Sequence, residues 1–193
     1  MSAERPRYGE ARQALLKAVV AVVSRVGLRG LTYRAVAAEA GVSHGAVSLH
    51  FGSRERLVEE ALAMTAARAV SLASLERHSE RTEEFVDDLT AAVVADEDSF
   101  AFQFELALES RRDPELRRPI KDLYDLYQRA IQSELTGLGV GRDPALDRLV
   151  LAALEGLIFQ QIVGVGEQDE IEASLTRLRR LLAAAVADEA QGR

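Results

Sequence analysis

The chain contains no cysteine, so it can form neither a disulfide framework nor a thiolate metal site. Histidine is nearly as scarce. His44, His50 and His78 include no pair at the i, i+4 spacing that sets two ligands on one helical face, and no metal or other cofactor is expected. Long apolar runs are missing as well. The longest, residues 149–165, is interrupted by Glu155, Gln160 and Gln161 and falls short of a membrane span. The N-terminus, Met-Ser-Ala-Glu-Arg-Pro-Arg, lacks the apolar segment of a secretory signal. These absences lead us to expect a cytoplasmic protein with no membrane partner. Neither a strand alternation nor an internal repeat is visible. What is present is 48% hydrophobic residues over 193 positions, enough to bury a core in one or two compact units.

The net charge of −7 is unevenly spread. Residues 1–56 hold nine Lys or Arg against four Glu, net +5, which leaves −12 for the remainder. A basic head on an acidic body favours docking of one face only onto a polyanion.

Apolar residues recur at three- and four-residue spacing through most of the chain, which predicts an all-α fold. A first helix is expected over 8–26, with Ala11, Leu15, Ala18, Val19, Val22 and Val26 on one side and Gly27 closing it. Helix 4 is expected from Arg54 to Glu76 behind an N-cap at Ser53, and helix 5 from Glu83 to Ala95. Helix 6 is expected from Asp98 to Arg111, followed by a helix begun by Asp113-Pro114 that continues through Leu135 despite Pro119. Past the glycine loop 137–141, a helix from Asp143-Pro144 to Val163 is apolar on nearly every side and must be covered on both. A last helix is expected over 169–188.

Residues 32–57 carry the sharpest signal. Thr32 can cap a helix whose apolar side is Ala35, Val36 and Ala40, and Gly41 supplies the left-handed residue of a tight stop. Ser43 can cap a second helix, His44 to His50, whose apolar Ala46 and Val47, with Phe51 beyond, face a core. Small residues at Ala37 and Gly41 allow the close, steep crossing of a helix-turn-helix. The polar side of the second helix is left free to meet a DNA major groove.

This segment resembles the DNA-binding head of the tetracycline-repressor-like (TetR) family of bacterial regulators. The resemblance rests on the amphipathic first helix, Gly27-Leu28-Arg29-Gly30-Leu31-Thr32, Val36-Ala37, Gly41-Val42-Ser43-x-Gly45 and His50-Phe51-x-x-Arg54-Glu55-x-Leu57. It covers about the first 60 residues closely, and the rest in length and helical layout. Ser48 and Leu49 depart from the family, which commonly has an aromatic pair there that includes a phosphate-contacting Tyr, and Arg54 stands where a Lys is usual. The resemblance implies an N-terminal three-helix DNA-binding head, residues 1–53, and a helical effector-binding and dimerisation body, residues 54–193. It further implies a regulator, usually a repressor released from operator DNA by a small organic effector, and a homodimer through the last two helices.

The candidate DNA-binding residues are Thr32, Tyr33, Arg34, Ser43, His44, Gly45, Ala46, Ser48, Leu49, His50 and Arg54. His44 opens the second helix where it can reach a base edge, and Gly45 and Ala46 permit close approach and contact with a thymine methyl. Thr32, Tyr33, Arg34, Ser48 and Arg54 suit phosphate contacts, which position without specifying sequence. Arg5 and Arg7 fit an N-terminal arm near the groove.

Gly41-Val42-Ser43-His44-Gly45 also spells the G-x-S-x-G of a hydrolase nucleophile elbow, which requires a preceding strand. The residues before Ser43 read as helix, so no enzyme is expected. In the body, Phe100, Phe104, Tyr124, Tyr127 and Phe159 with Glu105, Gln128 and Glu155 are the candidate effector site, with aromatic walls and a few polar groups. A carboxylate on an apolar helix face needs a partner: a ligand, or an internal arginine such as Arg129 or Arg148. The alternative to a working regulator is a helical small-molecule-binding or adaptor protein with weakened DNA binding.

Overall fold

The computed structural model describes residues 8–72 and 81–191. Arg5, Arg7, His78 and the expected end of helix 4 at residues 73–76 lie outside the described residues. The helices are α1 (Tyr8–Val26), α2 (Tyr33–Ala40), α3 (His44–Phe51), α4 (Arg54–Leu72), α5 (Leu89–Ala95), α6 (Glu97–Glu109), α7 (Arg117–Gly137), α8 (Pro144–Ile162) and α9 (Gln168–Gln191). Single 3-10 turns lie at Leu28–Gly30, Thr82–Glu84 and Pro114–Leu116, and among the described residues there is no strand. Among these residues, too, no helix is long and apolar enough to cross a membrane. Two compact units result: the chain up to Thr65 with Ala101–Lys121, and Ala66–Phe100 with the chain from Asp122 onward.

In the first unit α1 presents Ala11, Leu15, Ala18, Val19 and Val22 to the interior, all buried, as the three- and four-residue spacing demands. It packs on α2, and α2 on α3. Gly27 (φ 73°) breaks α1 and leads into the turn 28–30. The Thr32 hydroxyl accepts the Ala35 N–H at 3.1 Å, the expected N-cap. At the other end of α2, Gly41 (φ 66°, ψ 29°) is left-handed, and the N–H groups of Gly41 and Val42 return to Ala38 O (3.3 Å) and Ala37 O (3.0 Å). That double bond is the Schellman stop. Ser43 corrects an expectation: it occupies the N-cap position of α3, but its hydroxyl makes no capping bond, and only its carbonyl accepts the first intrahelical N–H, from Ala46. Ser53 does cap α4, accepting the Arg56 N–H at 3.2 Å. Phe102, Leu106 and Leu116, from the later segment of this unit, are buried as well.

The second unit is centred on Phe85, Leu89, Ile131, Leu135, Leu154, Leu175 and Leu182, all buried. Here the expected helix from Glu83 to Ala95 is broken: a 3-10 turn ends at Glu84, and α5 begins only at Leu89. Between them Val86 takes φ 47°, a left-handed conformation costly for a β-branched residue, roughly 1–2 kcal/mol. The reason lies far along the chain. The Arg179 guanidinium of α9 donates to Phe85 O (2.9 Å) and Val86 O (3.2 Å), while both side chains are buried. α5 then packs against α8 and α9, with Thr90 Oγ1 donating to the Glu172 carboxylate and Gln161 Nε2 donating to Thr90 O at 3.3 Å. Pro119 falls in the first turn of α7 and is tolerated there, because no intrahelical acceptor exists for its missing N–H. α8 is covered on one side only: Val150, Leu151, Leu154 and Ile158 are buried, but Leu149 and Phe159, with Val163 just past its end, are exposed.

Candidate functional site

α3 turns Val47 and Phe51 into the first unit and leaves His44, Gly45, Ser48 and Leu49 outward, residues at i, i+1, i+4 and i+5 that form one strip. Leu49 is 77% exposed, a large apolar side chain at the C-terminal end of that strip. Gly45 has nothing within 4 Å of where a Cβ would stand, so the surface is open for backbone approach. Ser43 is exposed at the head of the helix, Ala46 half-buried beside it, and His50 half-buried with its ring 6.2 Å from that of Phe51. Thr32 and Arg34, at the start of α2, are exposed.

Tyr33 and His44 link the two helix starts, with ring centroids 6.1 Å apart and planes tilted by 59°. Burial pushes the Tyr33 phenol above its ordinary value, Glu55 adding to the rise and Arg54 opposing it. The phenol is therefore a neutral donor, suited to a phosphate oxygen. Exposed Arg34 adds a guanidinium to the same end. Arg54 is half-buried and already engaged: its Nη2 donates to Leu28 O at 2.9 Å, bracing the start of α4 against the turn after α1. Behind the strip, Arg12 lies over the Phe51 ring at 5.2 Å and pairs with Glu60, which also takes Arg56 Nε at 3.1 Å.

The body candidates are divided between the two units. Glu105 belongs to the first unit, where its Oε1 accepts the Leu28 N–H at 3.2 Å. The same oxygen stands 3.1 Å from where a Gly27 Cβ would be. It is satisfied by the backbone of the head. Phe104, in the same unit, is half-buried. In the second unit, Tyr124 of α7 donates its hydroxyl to the Glu155 carboxylate of α8, and both are half-buried. Burial raises the Glu155 carboxyl above its ordinary value while the Tyr124 hydrogen bond pulls it back. The Tyr124 phenol is pushed up to about 12, by burial first and then by the Glu155 charge and hydrogen bond. The partner of Glu155 is thus a neutral phenol rather than Arg129 or Arg148. Phe100 is buried, Tyr127 and Gln128 are half-buried, and Phe159 is 44% exposed.

The nucleophile-elbow reading of Ser43 fails on its surroundings, since α2 and a helix stop precede it where a strand is required. Comparison with known proteins agrees. Residues 15–61 match "Bacterial regulatory proteins, tetR family", and residues 77–188 match "Tetracyclin repressor-like, C-terminal domain". The HTH-type transcriptional regulator CymR of Pseudomonas putida is 27% identical over 187 residues, 91% of this chain and 87% of that one. A TetR-family transcriptional regulator from Rhodococcus sp. shares the fold, with a TM-score of 0.75, 23% identity and coverage of 90% and 98% of the two chains. The multidrug binding protein EbrR has been solved with imidazole (27% identical, TM-score 0.65, covering 93% and 95%). It has also been solved with proflavin (28% identical, TM-score 0.59, covering 89% and 99%). With both its head and its body matched, and its outward α3 strip set on a helix-turn-helix, the chain belongs to the TetR family of transcriptional regulators, which bind DNA and are not enzymes.

Proposed function

We propose that this regulator is a homodimeric repressor whose head, residues 1–53, binds operator DNA and whose body, residues 54–193, releases it on binding a small organic effector. The observation that carries the effector reading is the half-buried Glu155 carboxylate, compensated by one neutral phenol and by no cation among the described residues. An aromatic or cationic ligand seated beside Tyr124 and Glu155 gains apolar contact and supplies the missing positive charge. The proflavin complex of EbrR supports a ligand of that kind. For DNA, His44 reads a base edge, Gly45, Ala46 and Leu49 supply close apolar contact, and Thr32, Tyr33, Arg34, Ser43, Ser48, His50 and Arg54 position the phosphates. Leu149 of α8, Val163 just past its end and Leu181 of α9, all exposed, are the positions assigned to the second copy.

Release requires that the effector bind the DNA-free arrangement more tightly, about 1.4 kcal/mol for each tenfold loss of operator affinity. The test is titration of a selected operator duplex, bound to the full chain, with proflavin and with neutral hydrophobic compounds, followed by fluorescence anisotropy. Proflavin should dissociate the wild-type complex, and Glu155→Gln should raise the concentration required by about tenfold. Equal response of both proteins to every compound would remove Glu155 from effector binding. Operator complexes that no compound dissociates would remove the release mechanism.

A further inference from the structure

We propose that a cleft between α7 and the start of α8 binds a small organic acid that also carries a hydroxyl or ammonium donor. The cleft, of about 220 Å³, lies wholly within the second unit and is lined by Gln128, Arg129 and Gln132 of α7, Arg142 of the loop, and Asp147 and Arg148 of α8. Asp125 stands on the same wall, and Pro144 is the one apolar side chain in the lining. Two independent features point to a ligand. The first is Asp147. It is only 8% exposed, yet its carboxylate has no hydrogen bond or ion pair among the described residues, and it lines the cleft. What remains open of the carboxylate faces the cleft, so its hydrogen bonds there come from water or from a donor bound in the cleft. Burial accordingly raises its carboxyl above the ordinary range, Asp143 adding to the rise and Arg142 opposing it.

The second feature is the guanidinium groups. Arg129, Arg142 and Arg148 line this cleft, and none forms an ion pair among the described residues, although residues 57–193 carry a net charge of −12. Guanidinium forks recognise carboxylates in two-point fashion, and the Gln128 and Gln132 amides offer both donors and acceptors between them. An acid alone would leave Asp147 unpaired and face its charge. An acid with a neighbouring hydroxyl or ammonium satisfies both walls at once. The volume lies under the 300–1,000 Å³ typical of drug-sized ligands, which limits the occupant to a compact polar molecule. This site is independent of the Tyr124–Glu155 pair, whose proposed occupant is apolar or cationic.

Succinate, malate and aspartate share a four-carbon diacid frame and differ by no donor, a hydroxyl or an ammonium. Calorimetric titration of each, and of inorganic phosphate, into the full chain tests the proposal. Malate or aspartate should bind saturably, with succinate and phosphate at least about tenfold weaker because they leave Asp147 without a donor. Arg129→Gln and Arg148→Gln, both at exposed positions, should each weaken binding by about tenfold, and Asp147→Asn should narrow the gap between malate and succinate. Absence of saturable binding at millimolar acid overturns the proposal. So does binding that the arginine variants leave unchanged, or equal affinity for phosphate and all three diacids, which marks an unspecific anion patch.

Discussion

Tyr124→Phe isolates a polar link that joins α7 to α8 at the proposed effector locus. The substitution removes a hydroxyl and keeps the ring, so the packing of a half-buried side chain changes little. It leaves the Glu155 carboxylate without its donor. Losing a hydrogen bond to a charged acceptor costs about 1–3 kcal/mol, and half-exposure of Glu155 places the effect in the lower part, about 1–2 kcal/mol at pH 7. For a chain of this length each kcal/mol moves the midpoint of melting by about 2–4 °C, so a fall of about 2–8 °C is expected. The pH dependence is the sharper test. The folded-state carboxyl of Glu155 titrates above its ordinary 4.5, so folding is favoured most where it is protonated and loses ground as pH rises through the folded value. Tyr124 lowers that value, and its own value of about 12 keeps it a donor throughout. In Tyr124→Phe the folded value climbs further. The two proteins should therefore be closest in stability near pH 4 and diverge as pH rises toward 8, in melts followed by circular dichroism. A gap of constant size across that range would show that the phenol does not act through the Glu155 charge, and the reasoning would fail.

Other substitutions address the head and the assembly. Gly41→Ala meets no atom within 4 Å but forces a side chain into the left-handed region, so it should cost about 1–2 kcal/mol by urea titration, a loss due to backbone alone. His44→Ala should alter preference at one base position per half-site in a selection experiment, while Arg34→Ala should weaken all sequences alike and lower the salt slope by about one unit. Arg54→Ala should do more than weaken DNA binding: with its bond to Leu28 O gone, the melting temperature should fall in the absence of DNA. Leu181→Asp should convert a dimer to a monomer in light scattering without unfolding it, whereas Leu182→Asp, at a position buried within the single chain, should unfold it. A monomeric wild type at micromolar concentration would discard the dimer.

The head was legible because its determinants are local. Gly27, Gly41 and Gly52 take positive φ where the helices stop, and Thr32 and Ser53 cap the helices that follow them. The body was less so, because there the deciding contacts are distant in sequence. Residues 83–95 have a helical composition, and it is Arg179, far along the chain, that holds the carbonyls of Phe85 and Val86 where the chain turns instead. Glu105 reads as a carboxylate stranded on an apolar helix, and its acceptor role becomes visible only once Leu28, 77 residues earlier, is placed beside it. The Tyr124–Glu155 contact could be anticipated from a carboxylate and aromatics on facing helices. Asp147 could not. It sits in a first turn, where acidic residues are ordinary, and nothing in the sequence marks this one as buried without a partner.

The backbone of Leu28 is held at both of its amides, its N–H by Glu105 and its carbonyl by Arg54. Seen as a matter of modularity, this makes the DNA-reading head a poor export. The segment that is contiguous in sequence ends before α6, yet α6 supplies Glu105 along with buried Phe102 and Leu106 to the same compact unit. A fragment ending at residue 65 would expose those apolar contacts to water and strip the turn between α1 and α2 of the carboxylate that holds the Leu28 N–H. Grafting this head onto an unrelated sensor would therefore require carrying residues 101–121 with it, and recombination between such regulators at the end of α3 would succeed only where the incoming body brings an equivalent acceptor for that one amide.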